Sequence, residues 1–333
     1  MDKKINPQPE VSVIIPCYNE EKTIQLLLQA ILEQSYPTEK IEVVIADAIS
    51  TDQTRQKIRD FSKENSSLAI RIVDNPVRTI PAGVNLAANA SQGKYLVRLD
   101  AHSVPNRDYI LNSINLLKSG KAQNVGGVWE ILPGNDTCLA KAIAKAAAHP
   151  LGAGDAGYRI SSKSGFVDSV PFGAFSKNDF TKLGGFNEDL LSNEDYEFNT
   201  RLRQNGDKVW LDASIRSKYF ARKNLSELGK QYWRYGFWKN RMLRKYPQSL
   251  RWRQALPPLF LIFLLLFGFL SFFLPFARII LGTGVGSYLL ALIISSIIES
   301  VSMKDGCLLM MAFAFTTIHF CWGGGFLFSY FSK

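Results

Sequence analysis

The chain has 333 residues, of which 47% are hydrophobic and 20% charged, and a formal net charge of +10. That is enough for one large core with something beside it. The turn Pro16-Cys17-Tyr18-Asn19 lacks the glycines of a dinucleotide-binding loop, and no phosphate loop ending in Gly-Lys-Ser or Gly-Lys-Thr occurs, which excludes two large nucleotide-binding classes.

The opening residues, Met1 to Glu10, are polar. The first apolar run, Val11 to Ile15, is too short for a secretory leader, so the N-terminal domain is expected to stay in the cytosol. Runs of apolar residues then predict strands at Val11 to Ile15, Ile41 to Ala46, Ile70 to Val73 and Tyr95 to Leu99. Helical patterns fall between and after them, at Glu20 to Gln34, Asp52 to Lys63, Ala82 to Ala90 and Arg107 to Lys118. Such alternation implies a parallel sheet covered by helices.

Beyond Arg253 the chain is almost uncharged as far as Glu299. Leu256 to Leu274, Ile279 to Ile298 and Cys307 to Phe331 are each apolar and long enough to cross a bilayer. Just before them come Lys230, Arg234, Lys239, Arg241, Arg244, Lys245, Arg251 and Arg253, interleaved with Tyr232, Trp233, Tyr235, Phe237, Trp238 and Trp252. Basic and aromatic residues beside a span suit anionic headgroups at the cytosolic interface rather than nucleic acid. Cysteines at 17, 138, 307 and 321 are widely spaced and read as reduced thiols, with no disulfide framework or metal knuckle.

In open sheets ligands bind beyond the carboxyl ends of the strands. The first such turn holds Pro16, Tyr18, Asn19 and Glu20, with Asn19 placed to cap the next helix and leave amides facing a nucleotide. After the second strand comes Asp47, a candidate to accept hydrogen bonds from a nucleobase, followed by Ser50-Thr51-Asp52, which equally suits a plain helix start. After the fourth come Asp100 and His102, two metal-capable side chains on one strand end. A hard divalent ion takes one or two carboxylates and fills its shell from substrate phosphate, while an imidazole tilts the choice from Mg²⁺ toward Mn²⁺. Ser192-Asn193-Glu194-Asp195-Tyr196-Glu197 opens a helix with an acidic first turn, which the helix dipole favours in any case. It follows the apolar, glycine-rich Pro171-Phe172-Gly173-Ala174-Phe175 and Leu183-Gly184-Gly185-Phe186, which could form a substrate wall with a general base at its edge.

Taken in order, these segments resemble family 2 inverting glycosyltransferases of the GT-A fold. The likeness is carried by Val11-Ser12-Val13-Ile14-Ile15-Pro16-Cys17-Tyr18-Asn19-Glu20, by Asp47 with Ser50-Thr51-Asp52, and by Asp100-Ala101-His102. It continues in Asn193-Glu194-Asp195 and in Gln231-Tyr232-Trp233-Arg234-Tyr235, a variant of a Gln-x-x-Arg-Trp motif. The Phe-Gly-Ala-Phe segment before Gly-Gly-Phe is similar to the succinoglycan-biosynthesis type of bacterial exopolysaccharide glucosyltransferase. Two positions depart from the wider family: His102 stands where many members carry a second Asp, and Tyr235 where many carry Trp.

The resemblance implies an α/β, Rossmann-like GT-A domain over 1–224, a mixed, mostly parallel sheet with helices on both faces. A basic aromatic interfacial segment over 225–254 and a membrane domain over 255–333 would follow, in a multi-pass protein of the inner (cell) membrane. It implies that Asp47, Asp52 and the Pro16–Glu20 turn bind the nucleotide, that Asp100 and His102 hold Mn²⁺ or Mg²⁺, and that Gln231 and Arg234 grip the diphosphate. Phe172, Gly173 and Ala174 would wall the sugar, and Asp195 would be the catalytic base with Glu194 shaping its surroundings. The activity implied is transfer of a hexose from a nucleotide diphosphate-sugar, a UDP-sugar first, to a lipid-linked saccharide in exopolysaccharide or cell-surface glycan synthesis. Polyprenyl phosphate as acceptor and a non-catalytic nucleotide-binding membrane protein are the alternatives. The whole reading requires Asp47, Asp100 and Asp195 to share one cleft.

Overall fold

The structure, a computed structural model, describes residues 8–160, 163–302 and 308–332. It divides into two compact units, the first formed by Met1–Glu130 and Ser161–Tyr219, the second by Ile131–Ile160 and Phe220–Lys333.

The first unit is built on β1 (Val11–Cys17), α1 (Ile24–Leu32), β2 (Ile41–Asp47), α2 (Thr54–Glu64), β3 (Ala69–Asp74), α3 (Ile80–Ala90) and β4 (Tyr95–Arg98). β5 (Val104–Pro105), α4 (Tyr109–Lys118) and β6 (Asn124–Leu132) follow. After an excursion into the second unit through α5 (Cys138–Ala148), α6 (Pro150–Ala153) and α7 (Gly157–Ile160), the chain returns. It then forms β7 (Gly165–Phe166), β8 (Ala174–Ser176), α8 (Lys177–Lys182), α9 (Glu194–Gln204) and β9 (Val209–Phe220). The second unit closes with α10 (Leu225–Lys245), α11 (Trp252–Leu270), α12 (Pro275–Ser302) and α13 (Leu308–Phe331).

The strands make one sheet ordered β3-β2-β1-β4-β8-β6-β9-β5, with β7 added on β9. β1 lies parallel between β2 and β4, so that Val13 is opposite both Val43 and Val97. Because successive side chains alternate faces, a strand covered on both sides must be apolar throughout, and Val13, Ile14 and Ile15 are all fully buried. Leu27, Leu28 and Ile31 of α1, Phe61 of α2 and Ile110 and Ile114 of α4 join the core on the Val13 face. On the other face α3 comes so close that a Cβ at Gly83 would lie 3.2 Å from Pro16 and 3.6 Å from Ala46.

The sheet is mixed, with more antiparallel pairing than the alternation before residue 118 predicts. β8 runs antiparallel to both β4 and β6, and β5 and β7 antiparallel to β9. These late strands are mostly two or three residues long, too short to announce themselves by periodicity.

In the second unit three helices, Trp252–Leu270, Pro275–Glu299 and Met310–Phe331, are long and apolar enough to cross a membrane. The first begins earlier than its apolar run suggests, because Trp252, Arg253 and Gln254 supply its opening turn. α10 packs on α13 without spacing side chains: a Cβ at Gly236 would lie 2.0 Å from the Trp322 carbonyl oxygen, and one at Gly325 2.2 Å from that of Trp233. Arg244 caps the far end by donating to the Ser329 carbonyl at 2.6 Å. α5 and α6 also pack on α13: the His149 and Phe315 rings are 5.3 Å apart, and His319 Nε2 meets the Leu151 carbonyl at 2.8 Å.

The cysteines correct the expectation of four reduced thiols. Cys138 is disulfide-bonded, whereas Cys17 and Cys321 are free. Sequence spacing cannot reveal such a bond, since folding alone brings distant cysteines together, and cysteine usage therefore gives no support for a reducing compartment. Cys307 lies outside the described residues.

Candidate active site

The loops at the ends of β1 and β2 are stapled to each other. Asn19 does not cap α1: its backbone N–H donates to Ser50 Oγ at 2.9 Å, and its Oδ1 accepts from the Thr51 N–H at 2.9 Å. Glu20 N–H donates to Thr54 Oγ1 at 2.8 Å, and Asp52 accepts from the N–H groups of Glu21 and Thr54 at 3.2 and 3.0 Å. With Asn19 spent in this way, residues 21–23 form a turn and the helix begins at Ile24. Asn19 and Ile49 both adopt the left-handed backbone region, at φ 53° and 58°. For a β-branched residue such as Ile49 that is a strained conformation, of the kind that persists where surrounding contacts impose it.

Asp47 is turned inward. Its side chain is fully buried, accepting from Ser50 Oγ and Arg55 Nε at 2.5 Å each, and Arg55 reaches on to Asp74. One partner, Ser50, is three residues on in the sequence; the other, Arg55, is brought by α2. Of the rest of this turn, Tyr18 is exposed and Pro16 half-buried.

At the end of β4 the chain turns through Asp100, whose backbone carbonyl accepts from Ser103 Oγ at 2.7 Å. His102 Nδ1 lies 2.9 Å from Glu20 Oε1, which ties this turn to the β1 loop. Asp100 keeps part of its carboxylate exposed. Among the described residues no three His, Cys, Asp or Glu side chains are grouped as a metal cage. The carboxylate of Asp100 and the imidazole of His102 suit a divalent ion only if a substrate supplies further oxygens, as diphosphate does.

Asp100 and Glu194, far apart in sequence, meet at Arg98, which brings Asp195 beside them. The guanidinium is 4% exposed, and its Nη2 donates to Glu194 Oε1 at 2.9 Å and to Asp100 Oδ1 at 3.4 Å. Sequence reasoning missed Arg98. The signal was available: a cation inside the buried strand Tyr-Leu-Val-Arg-Leu must find an anion or remain costly.

Asn193 precedes α9 at φ 64° and its side chain makes no cap, so the acidic turn is held otherwise: Glu194 by Arg98, and Asp195 by accepting the Tyr196 N–H at 2.7 Å. The Asp195 carboxyl is pushed up to about 7, chiefly by burial and then by the charge of Glu194, with Arg98 opposing and Asp100 adding slightly. A carboxylate of that affinity accepts a proton near neutral pH better than a solvated one does.

Phe172, Gly173 and Ala174, the expected sugar wall, also have a part in the fold. Phe172 and Ala174 are core residues, because β8 is paired on both sides. Phe172 has φ 62°, and the Gly173 carbonyl accepts from the Arg98 N–H at 3.0 Å. The segment thus braces the strand that carries Arg98 and Asp100. Gln231 and Arg234 lie on α10 in the second unit. Gln231 is buried and donates to Tyr235 Oη at 2.9 Å, while Arg234 is exposed.

A sequence model of Glycosyl transferase family 2 matches residues 12–182. A curated relative from Methanococcus voltae, dolichyl N-acetyl-alpha-D-glucosaminyl phosphate 3-beta-D-2,3-diacetamido-2,3-dideoxy-beta-D-glucuronosyltransferase, is 28% identical over 86% of this chain and 86% of its own length. Succinoglycan biosynthesis protein ExoA of Rhizobium meliloti (strain 1021) is 30% identical over 74% of this chain and 73% of its own. Among solved structures, the mannosyltransferase PcManGT from Pyrobaculum calidifontis, in complex with GDP-Man and Mn²⁺, aligns with a TM-score of 0.63 at 21% identity over 98% of this chain and 88% of that one. The first unit has the GT-A fold, and the chain belongs to glycosyltransferase family 2.

Proposed function

We propose that this glycosyltransferase moves a hexose from a nucleotide diphosphate-sugar, a UDP-sugar first, to a lipid-linked saccharide at the membrane surface, inverting the anomeric centre. The observation that carries the reading is the meeting of Asp100 with Glu194, the neighbour of Asp195, on one buried guanidinium. The acceptor class is supported by the Methanococcus voltae relative, whose name describes transfer to a dolichyl-linked sugar phosphate. Three apolar helices and the basic, aromatic α10 support a multi-pass chain whose first unit faces the cytosol, on a surface of anionic lipid.

Asp195 takes the proton from the acceptor hydroxyl as its oxygen attacks the anomeric carbon, while the bond to the diphosphate breaks on the opposite face. One displacement turns an α-linked donor into a β-glycoside with no covalent enzyme intermediate. Asp100 and His102 would hold Mn²⁺ or Mg²⁺, and the PcManGT complex with Mn²⁺ supports a cation in this fold. When bound, the ion would supply Lewis-acid neutralisation of the departing diphosphate. The stapled Asn19–Thr51 loops give the nucleotide a fixed edge, with Asp47 shaping that edge from within. Glu194 sets the charge around Asp195, and Gln231 and Arg234 are assigned to the diphosphate.

The test is transfer of label from a panel of nucleotide sugars into extracted lipid by membranes holding the parent chain or Asp195→Asn. The parent should label a lipid-linked saccharide. The variant should lose about 10²–10⁴-fold in turnover while still binding donor. Near-normal turnover in Asp195→Asn would refute the base assignment, and activity indifferent to a chelator would remove Asp100 and His102 from metal binding.

A further inference from the structure

We propose that Arg98 is a positioning residue for transfer: through a single nitrogen it holds the Asp100 turn and the first turn of α9 at a fixed separation, so that donor-side and acceptor-side carboxylates act on one reacting centre. The inference rests on the function proposed above and adds a buried residue that acts through Asp100 and Glu194.

The geometry is specific. Arg98 Nη2 alone makes both contacts, 2.9 Å to Glu194 and 3.4 Å to Asp100, while Nε and Nη1 are buried with no hydrogen-bond partner among the described residues. The guanidinium is thus committed at one nitrogen, and what that nitrogen joins is two carboxylates from distant parts of the chain. Its stabilisation comes from the carboxylates and from the Phe186 ring, whose centroid lies 5.3 Å from the guanidinium carbon. Its backbone N–H is fixed by the Gly173 carbonyl, at the residue after the left-handed Phe172. β4, the turn before β8, the Gly185-Phe186 turn and α9 therefore converge on one side chain. Removing it frees Glu194 and Asp100, one carboxylate buried and the other part-exposed, to repel each other.

Because one nitrogen does the bridging, an ammonium can replace it, and this separates positioning from packing. The experiment uses the full chain in detergent, with Arg98→Met, Arg98→Lys, Glu194→Gln and the Arg98→Met/Glu194→Gln double variant. It measures kcat for transfer, and the Kd of UDP with MnCl₂, or of GDP if transfer selects a GDP-sugar. Arg98→Met should lose about 10²-fold in kcat, the scale of a misplaced reacting group, with nucleotide Kd within about threefold. Arg98→Lys should recover most of that loss, and the double variant should be no worse than Arg98→Met.

The proposal is overturned if Arg98→Met turns over like the parent, if kcat and nucleotide affinity fall together, if Lys is no better than Met, or if the double variant shows additive losses. Should Arg98→Met fail to fold, the comparison of Arg98→Lys with Glu194→Gln decides, since a bridging ammonium must outperform a broken bridge. Asp195→Asn separates the two claims. If it is inactive while the Arg98 variants are normal, only the positioning role falls; if it is fully active, the proposed function falls first.

Discussion

Asp195 holds its proton more tightly than a solvated carboxylate because burial and the adjacent Glu194 charge both disfavour its ionised form. A general base must be ionised to work, so kcat/KM should fall as pH drops through about 7. Glu194→Gln removes the repelling charge and should move that acidic limb to lower pH; pH–rate profiles of parent and variant check both points. Asp100, Glu194 and Asp195 were legible in the sequence as acidic groups at element ends. Arg98 was legible only as an anomaly, a cation within a buried strand, and what it served depended on residues almost a hundred positions later. The partner of Asp47 was hidden, because the helical position of Arg55 does not disclose that its side chain folds back over the strand end.

At the scale of elements, β1 to β4 could be read to within two residues, since each carries a run of apolar residues, whereas the two-residue β5 could not. Helix starts were less legible. α1 begins at Ile24 because Asn19 is committed to the neighbouring loop, a choice only the folded sheet presents. The helix–helix joints were also hidden, because a glycine in an apolar helix says nothing about who approaches it. Gly236 has the Trp322 carbonyl where a side chain would go, whereas Gly282 on α12 faces open space. Gly236→Leu should therefore cost about 1–3 kcal/mol through overpacking. Gly282→Ala should leave stability unchanged or slightly raised, and thermal melts of the detergent-purified variants distinguish the two.

For the whole molecule, the order of soluble part, basic aromatic segment and apolar tail follows from composition, which changes abruptly near residue 253. The excursion does not. Residues 131–160 belong to the second unit although the strands on either side belong to the first, and nothing in their composition says so. A fragment ending at residue 224 would retain α5 and α6 but delete α13, on which both pack. It should be poorly soluble, and one that also replaces 131–160 by a short polar loop should recover; size-exclusion chromatography of the two fragments checks this.

The same excursion sets a timetable for biosynthesis. The ribosome delivers Cys138–Ala153 well before α13, so its alanine-rich surface emerges with its eventual partner still untranslated. Such a delay calls for a holding factor or early capture at the bilayer. Nascent chains stalled between residues 160 and 300 are accordingly the ones most exposed to aggregation, and the synthesis of α13 is what relieves it.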